Sequence, residues 1–228
     1  ANSLYNYINE VSEGQLIVTS TLLPASTTNM LSYQDSHVKG YFQPQSTSNP
    51  NGYVGSDGST RWLALLKAAV EFVADDVPVG LDLDINDDGH IDSICFVHNG
   101  AWDGNKFWAY MGRMGDAGAY IGDKLAWTYD SYTRDMIDAS NHGVGAIAHE
   151  FLHIMGAPDM YRDINKTVSP VGPWDVMAAT ANPPQHPNAW VKHHYIGWLG
   201  SIQTDHTTGP NFLAADPTAF RTCVRVPS

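Results

Sequence analysis

His149-Glu150-Phe151-Leu152-His153-Ile154-Met155-Gly156-Ala157-Pro158-Asp159 is the stretch from which the rest of the chain is read. Val144, Ile147, Ala148, Leu152 and Met155 recur at helical spacing, and Gly156 and Pro158 stop the pattern, so residues 141–155 read as a helix. Two imidazoles four residues apart on such a helix point from one face toward one ion, with Glu150 between them. Zinc held by neutral imidazoles lowers the pKa of its water toward 7, and a nearby carboxylate can take that proton and pass it to a leaving amine. Gly156 lets the chain turn sharply after the helix, and Asp159 stands where the pattern H-E-x-x-H-x-x-G-x-x-H brings back a third ligand. Asp163 and Asp175 are rivals for that place, because a carboxylate oxygen ligates zinc from any sequence position. An architecture with a later Glu as third ligand is excluded, since no Glu follows Glu150.

Downstream, Gly172-Pro173-Trp174-Asp175-Val176-Met177 offers a tight turn ending in Met, as a methionine turn beneath the metal would; Met177 would act there by packing. Upstream, the β-branched run over 15–22 reads as a strand, 43–60 as a long surface loop, and 61–75 as an amphipathic helix capped by Ser59 or Thr60. An apolar strand is expected over 91–98, short strands and loops over 99–133, a helix over 187–199 and a last strand over 219–226. No internal repeat or domain boundary interrupts this order. The pattern predicts one α/β domain, a twisted mixed sheet backed by the 61–75 helix, with a cleft above a smaller C-terminal part: about 1–156 above, about 157–228 below.

A formal charge of -12, with no clustered Lys or Arg, argues against a nucleic-acid partner. No apolar run is long enough for a membrane span, and the first residues lack the basic region and apolar block of a signal peptide, so export would need a leader already removed. Cys95 and Cys223 are too few for a disulfide scaffold; they either pair or are buried small hydrophobes.

Asp84-Ile85-Asn86-Asp87-Asp88-Gly89-His90-Ile91-Asp92 matches nine positions of a calcium loop, with oxygen side chains at Asp84, Asn86, Asp88 and Asp92, the His90 carbonyl and the bend at Gly89. Cys95 stands where a bidentate Glu belongs, so the alternatives are calcium completed by other ligands or a metal-free Asx-rich turn. His37, His142, His193, His194 and His206 lack ligand spacing and read as surface or satisfied polar groups, and His98 as structural.

The run from His149 to Tyr161, the turn Trp174-Asp175-Val176-Met177, and Trp190-Val191-Lys192 leading to Gly197-Trp198-Leu199 resemble the immune inhibitor A family of secreted bacterial metallopeptidases, which are metzincin-like. The acidic turn and its strand are similar too, ending in His98-Asn99-Gly100 where the family more often has His-Ala-Gly. The resemblance spans most of the chain and is most specific in its second half. It implies a secreted zinc endopeptidase with a metzincin-like catalytic domain, zinc on His149, His153 and Asp159, and Glu150 as general base. Met155 and Met160 depart from the family's residues without touching the ligands, and Ala179 leaves no tyrosine where some metzincins place one. Tyr161, His186 and Tyr195 stand as unranked candidates for stabilising an oxyanion. The expected partner is a protein or peptide substrate bound by a monomer. A catalytically idle binding domain with a retained structural zinc, and a zinc hydrolase of small molecules, are the competing readings.

Overall fold

The computed structural model describes residues 3–25, 31–161, 170–200, 203–204 and 224–225. It opens with a helix not among the expected elements. In α1 (Leu4–Val11) the Ser3 side chain caps the Asn6 N–H, and Tyr7, Ile8 and Val11 share one buried face. The run 15–22, expected as a strand, pairs with no strand among the described residues and stays irregular. A β-branched run needs a ladder partner, and local preference alone does not supply one.

The second helix, α2 (Asp57–Val73), starts four residues earlier than expected, after Ser56. Trp62, Leu66 and Val70 form its buried stripe and pack with Phe42, Ile91, Phe107, Met114, Ala126 and Tyr129 in one hydrophobic cluster. The Trp62 indole donates to the Tyr129 hydroxyl at 3.2 Å, fixing the helix on the sheet.

The strands are β1 (His90–Ile91), β2 (Ile94–His98), β3 (Tyr110–Arg113), β4 (Tyr120–Ile121), β5 (Lys124–Ala126) and β6 (Thr128–Thr133). They pair in the orders β1-β5-β4 and β2-β6-β3. The two orders share one parallel register, with His90 opposite Leu125 and Ile94 opposite Tyr129, so β1–β2 and β5–β6 are two long strands interrupted once each. β3 and β4 close the edges antiparallel, which makes the sheets mixed, as expected.

The third helix, α3 (Val144–Ile154), carries the two histidines. It lies on the sheet face opposite α2: Tyr129 turns to Trp62, while Tyr132, on the other face, sets its hydroxyl 3.3 Å from the Ile147 carbonyl. Its remaining side belongs to a second cluster, where Ala148 and Leu152 meet Tyr7, Ile8, Val11, Ala157, Val176, Met177 and Val191. The helix expected over 187–199 is shorter. Asn188 caps Ala189–Val191, and the chain widens into a π turn over Lys192–Ile196 before Gly197 ends it in a left-handed conformation. Gln203–Thr204 and Val224–Arg225 pair as a parallel two-stranded β7–β8. The rest of the expected last strand, with Cys223 and His206, lies outside the described residues. Cys95 is on β2. Among the described residues no helix is long and apolar enough to cross a membrane.

Candidate metal centre

α3 ends as its sequence requires. Gly156, at φ 96°, donates to the His153 carbonyl and Ala157 to the Leu152 carbonyl, the paired bonds of a left-handed helix stop. The reversed chain carries Asp159 back to the histidines. Asp159 Oδ1 lies 3.1 Å from His149 Nε2 and 3.3 Å from His153 Nε2, and the two Nε2 atoms are 3.1 Å apart. Ligands about 2.0–2.1 Å from a tetrahedral ion stand about 3.3 Å from one another, so this triangle has the dimensions of three corners of such a site. His149, His153 and Asp159 can hold a metal ion, and among the described residues they are the one group of His, Cys, Asp and Glu that meets on one point in this way.

The opposite ring nitrogens fix the ligand form. His149 Nδ1 donates to the Val176 carbonyl at 2.8 Å and His153 Nδ1 to the Ala157 carbonyl at 2.7 Å. Each imidazole therefore keeps its proton on Nδ1 and presents a lone pair at Nε2. Burial alone would raise the Asp159 carboxyl, yet the two imidazoles against it bring it well below the ordinary carboxylate range. Burial would lower His153; Asp159 and the Ala157 carbonyl overcome it and raise the ring above its usual value.

The turn Asp175–Ala179 supports both arms. Its Val176 carbonyl holds His149, its Met177 carbonyl accepts the Met160 N–H beside Asp159, and the Met177 side chain is fully buried below. Asp175 does not join the ligands. Its Oδ1 accepts the Met177 N–H at 2.7 Å and its Oδ2 the Asn188 N–H at 2.8 Å, so it ties the turn to the next helical stretch. Asp163 lies outside the described residues.

Glu150 is buried beside the triangle. Burial pushes its carboxyl above the ordinary range, against the lowering pull of His149 and His153. Next to it opens a recess of about 380 Å³, walled by Ala146, Glu150, Ala178 and Ala179, with Tyr161 and a His142–Thr180 hydrogen bond of 2.7 Å. Of the three oxyanion candidates only Tyr161 lines this recess, with its ring parallel to that of His149. His186 pairs with Glu10 at 3.0 Å, away from the triangle. His142, read as a surface residue, is part of the recess; nothing in its spacing announced that, because the contact with Thr180 spans the Met177 turn. His37, His193 and His194 pair with Asp35, the Leu199 carbonyl and the Trp190 ring, as satisfied polar groups do.

The acidic turn is bonded to itself and to a lysine. Asp84 is buried, and its oxygens accept the Asp88 and Gly89 N–H groups and the Lys124 ammonium at 2.8 Å. Asn86 bonds Asp88, Asp88 accepts from the His90 N–H, and Asp92 accepts from the Ile85 N–H. The oxygens find partners in the loop's own amides and in a lysine, as an Asx-rich turn provides. Lys124 comes from β5, and a loop template has no means of anticipating it.

Comparison with protein-family models, with curated proteins and with solved structures returns no match. What defines the class is the molecule itself: a mixed α/β chain whose helix α3 and following turn assemble a His-His-Asp group able to hold a metal ion.

Proposed function

We propose that the chain is the catalytic domain of a secreted, metzincin-like zinc endopeptidase, in keeping with its resemblance to the immune inhibitor A family. The observation that carries this reading is the convergence of His149, His153 and Asp159 beside a buried Glu150 at the edge of a recess. Two imidazoles and a carboxylate suit zinc, which when bound supplies the Lewis acidity that lowers the pKa of water toward 7 and polarises a carbonyl. Glu150 takes a proton from the attacking water on its carboxylate and delivers it to the leaving amide nitrogen. Its burial makes it a stronger base than an exposed carboxylate. The His153 and His149 Nδ1 bonds keep both rings in the ligating tautomer throughout.

Substrate binds extended along β3, the edge strand that passes Glu150, and seats one side chain in the alanine-walled recess. A purely structural zinc site closes its fourth position with protein. Here the described residues bring only three such ligands, and a general base stands next to them. Metal analysis and hydrolysis of a denatured generic protein test the reading together. The expected result is about one zinc per chain, with cleavage abolished by a chelator and restored by zinc. Bound zinc without cleavage of that protein would reject endopeptidase activity.

A further inference from the structure

The recess beside Glu150 is walled from three sides, and each wall presents alanine to it. Ala146 stands one helical turn before Glu150 on α3, Ala109 directly precedes the edge strand β3, and Ala178 and Ala179 follow Met177. His149 and Glu150 contribute to the same lining, so a side chain that enters belongs to a residue directly beside the scissile bond. The width of the recess is fixed. Asn182 donates to the Ala139 carbonyl at 2.9 Å, His142 and Thr180 share a bond of 2.7 Å, and the Ala181 carbonyl lies against Gly145 with no space for a methyl group between them. These contacts clamp residues 178–182 to the start of α3. The walls cannot close around a small side chain, and the space left beside it forfeits dispersion contacts.

The polarity of the walls is committed too. His142 and Thr180 satisfy each other, and among the described residues Glu150 is the one Asp, Glu, Lys or Arg that lines the recess. An entering Asp or Glu meets the Glu150 charge, and an entering Lys or Arg that paired with Glu150 would withdraw the base from the water. We propose that the recess selects a large apolar residue, Leu, Met or Phe, at one of the two positions flanking the cut, and that Ala178 and Ala179 set the size it accepts. Ala146 is buried, whereas these two are only half-buried, so a larger side chain on their wall fills the recess and not the core.

This inference deepens the proposed hydrolysis and rests on it. Cut sites in a denatured protein are mapped by mass spectrometry, and kcat/KM is then measured for peptides from one site with Leu, Ala, Lys or Glu at each flanking position. At one position the parent cleaves the Leu peptide at least about tenfold faster than the other three, since even one methylene in an apolar pocket is worth about 10-fold or more. Ala178→Leu or Ala179→Leu, at parental zinc content, lowers the Leu-to-Ala ratio at least about tenfold. A parent that cleaves the series with smaller ratios at both positions overturns the inference and leaves the endopeptidase reading standing. So does a parental Leu-to-Ala ratio in both variants. A parent that cleaves neither the denatured protein nor any peptide rejects the endopeptidase reading and the inference with it.

Discussion

Asp159 Oδ1 lies 3.1 Å from His149 Nε2, although the two stand ten positions apart in the chain with a helix end between them. The contact exists because Gly156 reverses the backbone and the Met177 carbonyl holds Met160 in place. The two arms meet through this return.

Asp159→Ala therefore leaves two protein ligands and abolishes tight zinc binding, read by titration against a competing chelator with folding checked by circular dichroism. Asp175→Ala behaves differently. It frees the Met177 and Asn188 amides, costs about 1–3 kcal/mol of stability, and weakens zinc by about 10–100-fold through the loosened turn. If Asp159→Ala binds zinc like the parent, the third ligand is another residue.

Helix α3 is set close against the segment after the Met177 turn. A Cβ at Gly145 would collide with the Ala181 carbonyl oxygen, which is backbone and cannot swing aside. Gly145→Ala should displace α3 and lower stability, by about 1–3 kcal/mol as overpacking typically does. An unchanged urea midpoint would show that the helix and this segment are farther apart than the structure has them.

His98 lies on β2 with its Nε2 on the Ser131 hydroxyl and its ring against Trp62 and Phe107. Burial pushes its pKa down to about 4. The unfolded chain, with His near 6.5, binds the proton more readily, so the His98 contribution is full above pH 6.5 and is lost as pH falls toward 4. The loss amounts to about 3 kcal/mol. His98→Leu should flatten this part of the stability–pH curve, measured by urea unfolding at each pH; the same slope in both proteins would contradict it.

Asp84 takes its cation from Lys124. The thermal midpoint of verified calcium-free protein should not move when calcium is added, and Lys124→Gln should lower it, because a buried carboxylate then loses its charge partner. A midpoint that rises with calcium in the parent would restore the calcium reading of the loop.

Much of the candidate site was legible because its chemistry is local. The spacing of His149, His153, Gly156 and Asp159 along one helix and its stop already fixes their convergence. The α1 stripe Tyr7, Ile8 and Val11 with its Ser3 cap was equally readable, and was passed over. Other features are written between distant segments. The irregular 15–22 run lacks a strand partner among the described residues, Asp175 binds Asn188, and the recess joins His142 to Thr180 across the Met177 turn.

In the proposed mechanism Glu150 moves the proton and the His-His-Asp group holds the ion. Glu150→Gln separates these roles without changing size. Zinc content and the rate of cleavage of a denatured protein, measured on the same preparation of parent and variant, are the direct test. Equal zinc, about one per chain, is expected in both, with cleavage by the variant reduced by about 10²–10⁴-fold. Parental cleavage by the zinc-loaded Glu150→Gln protein would contradict it.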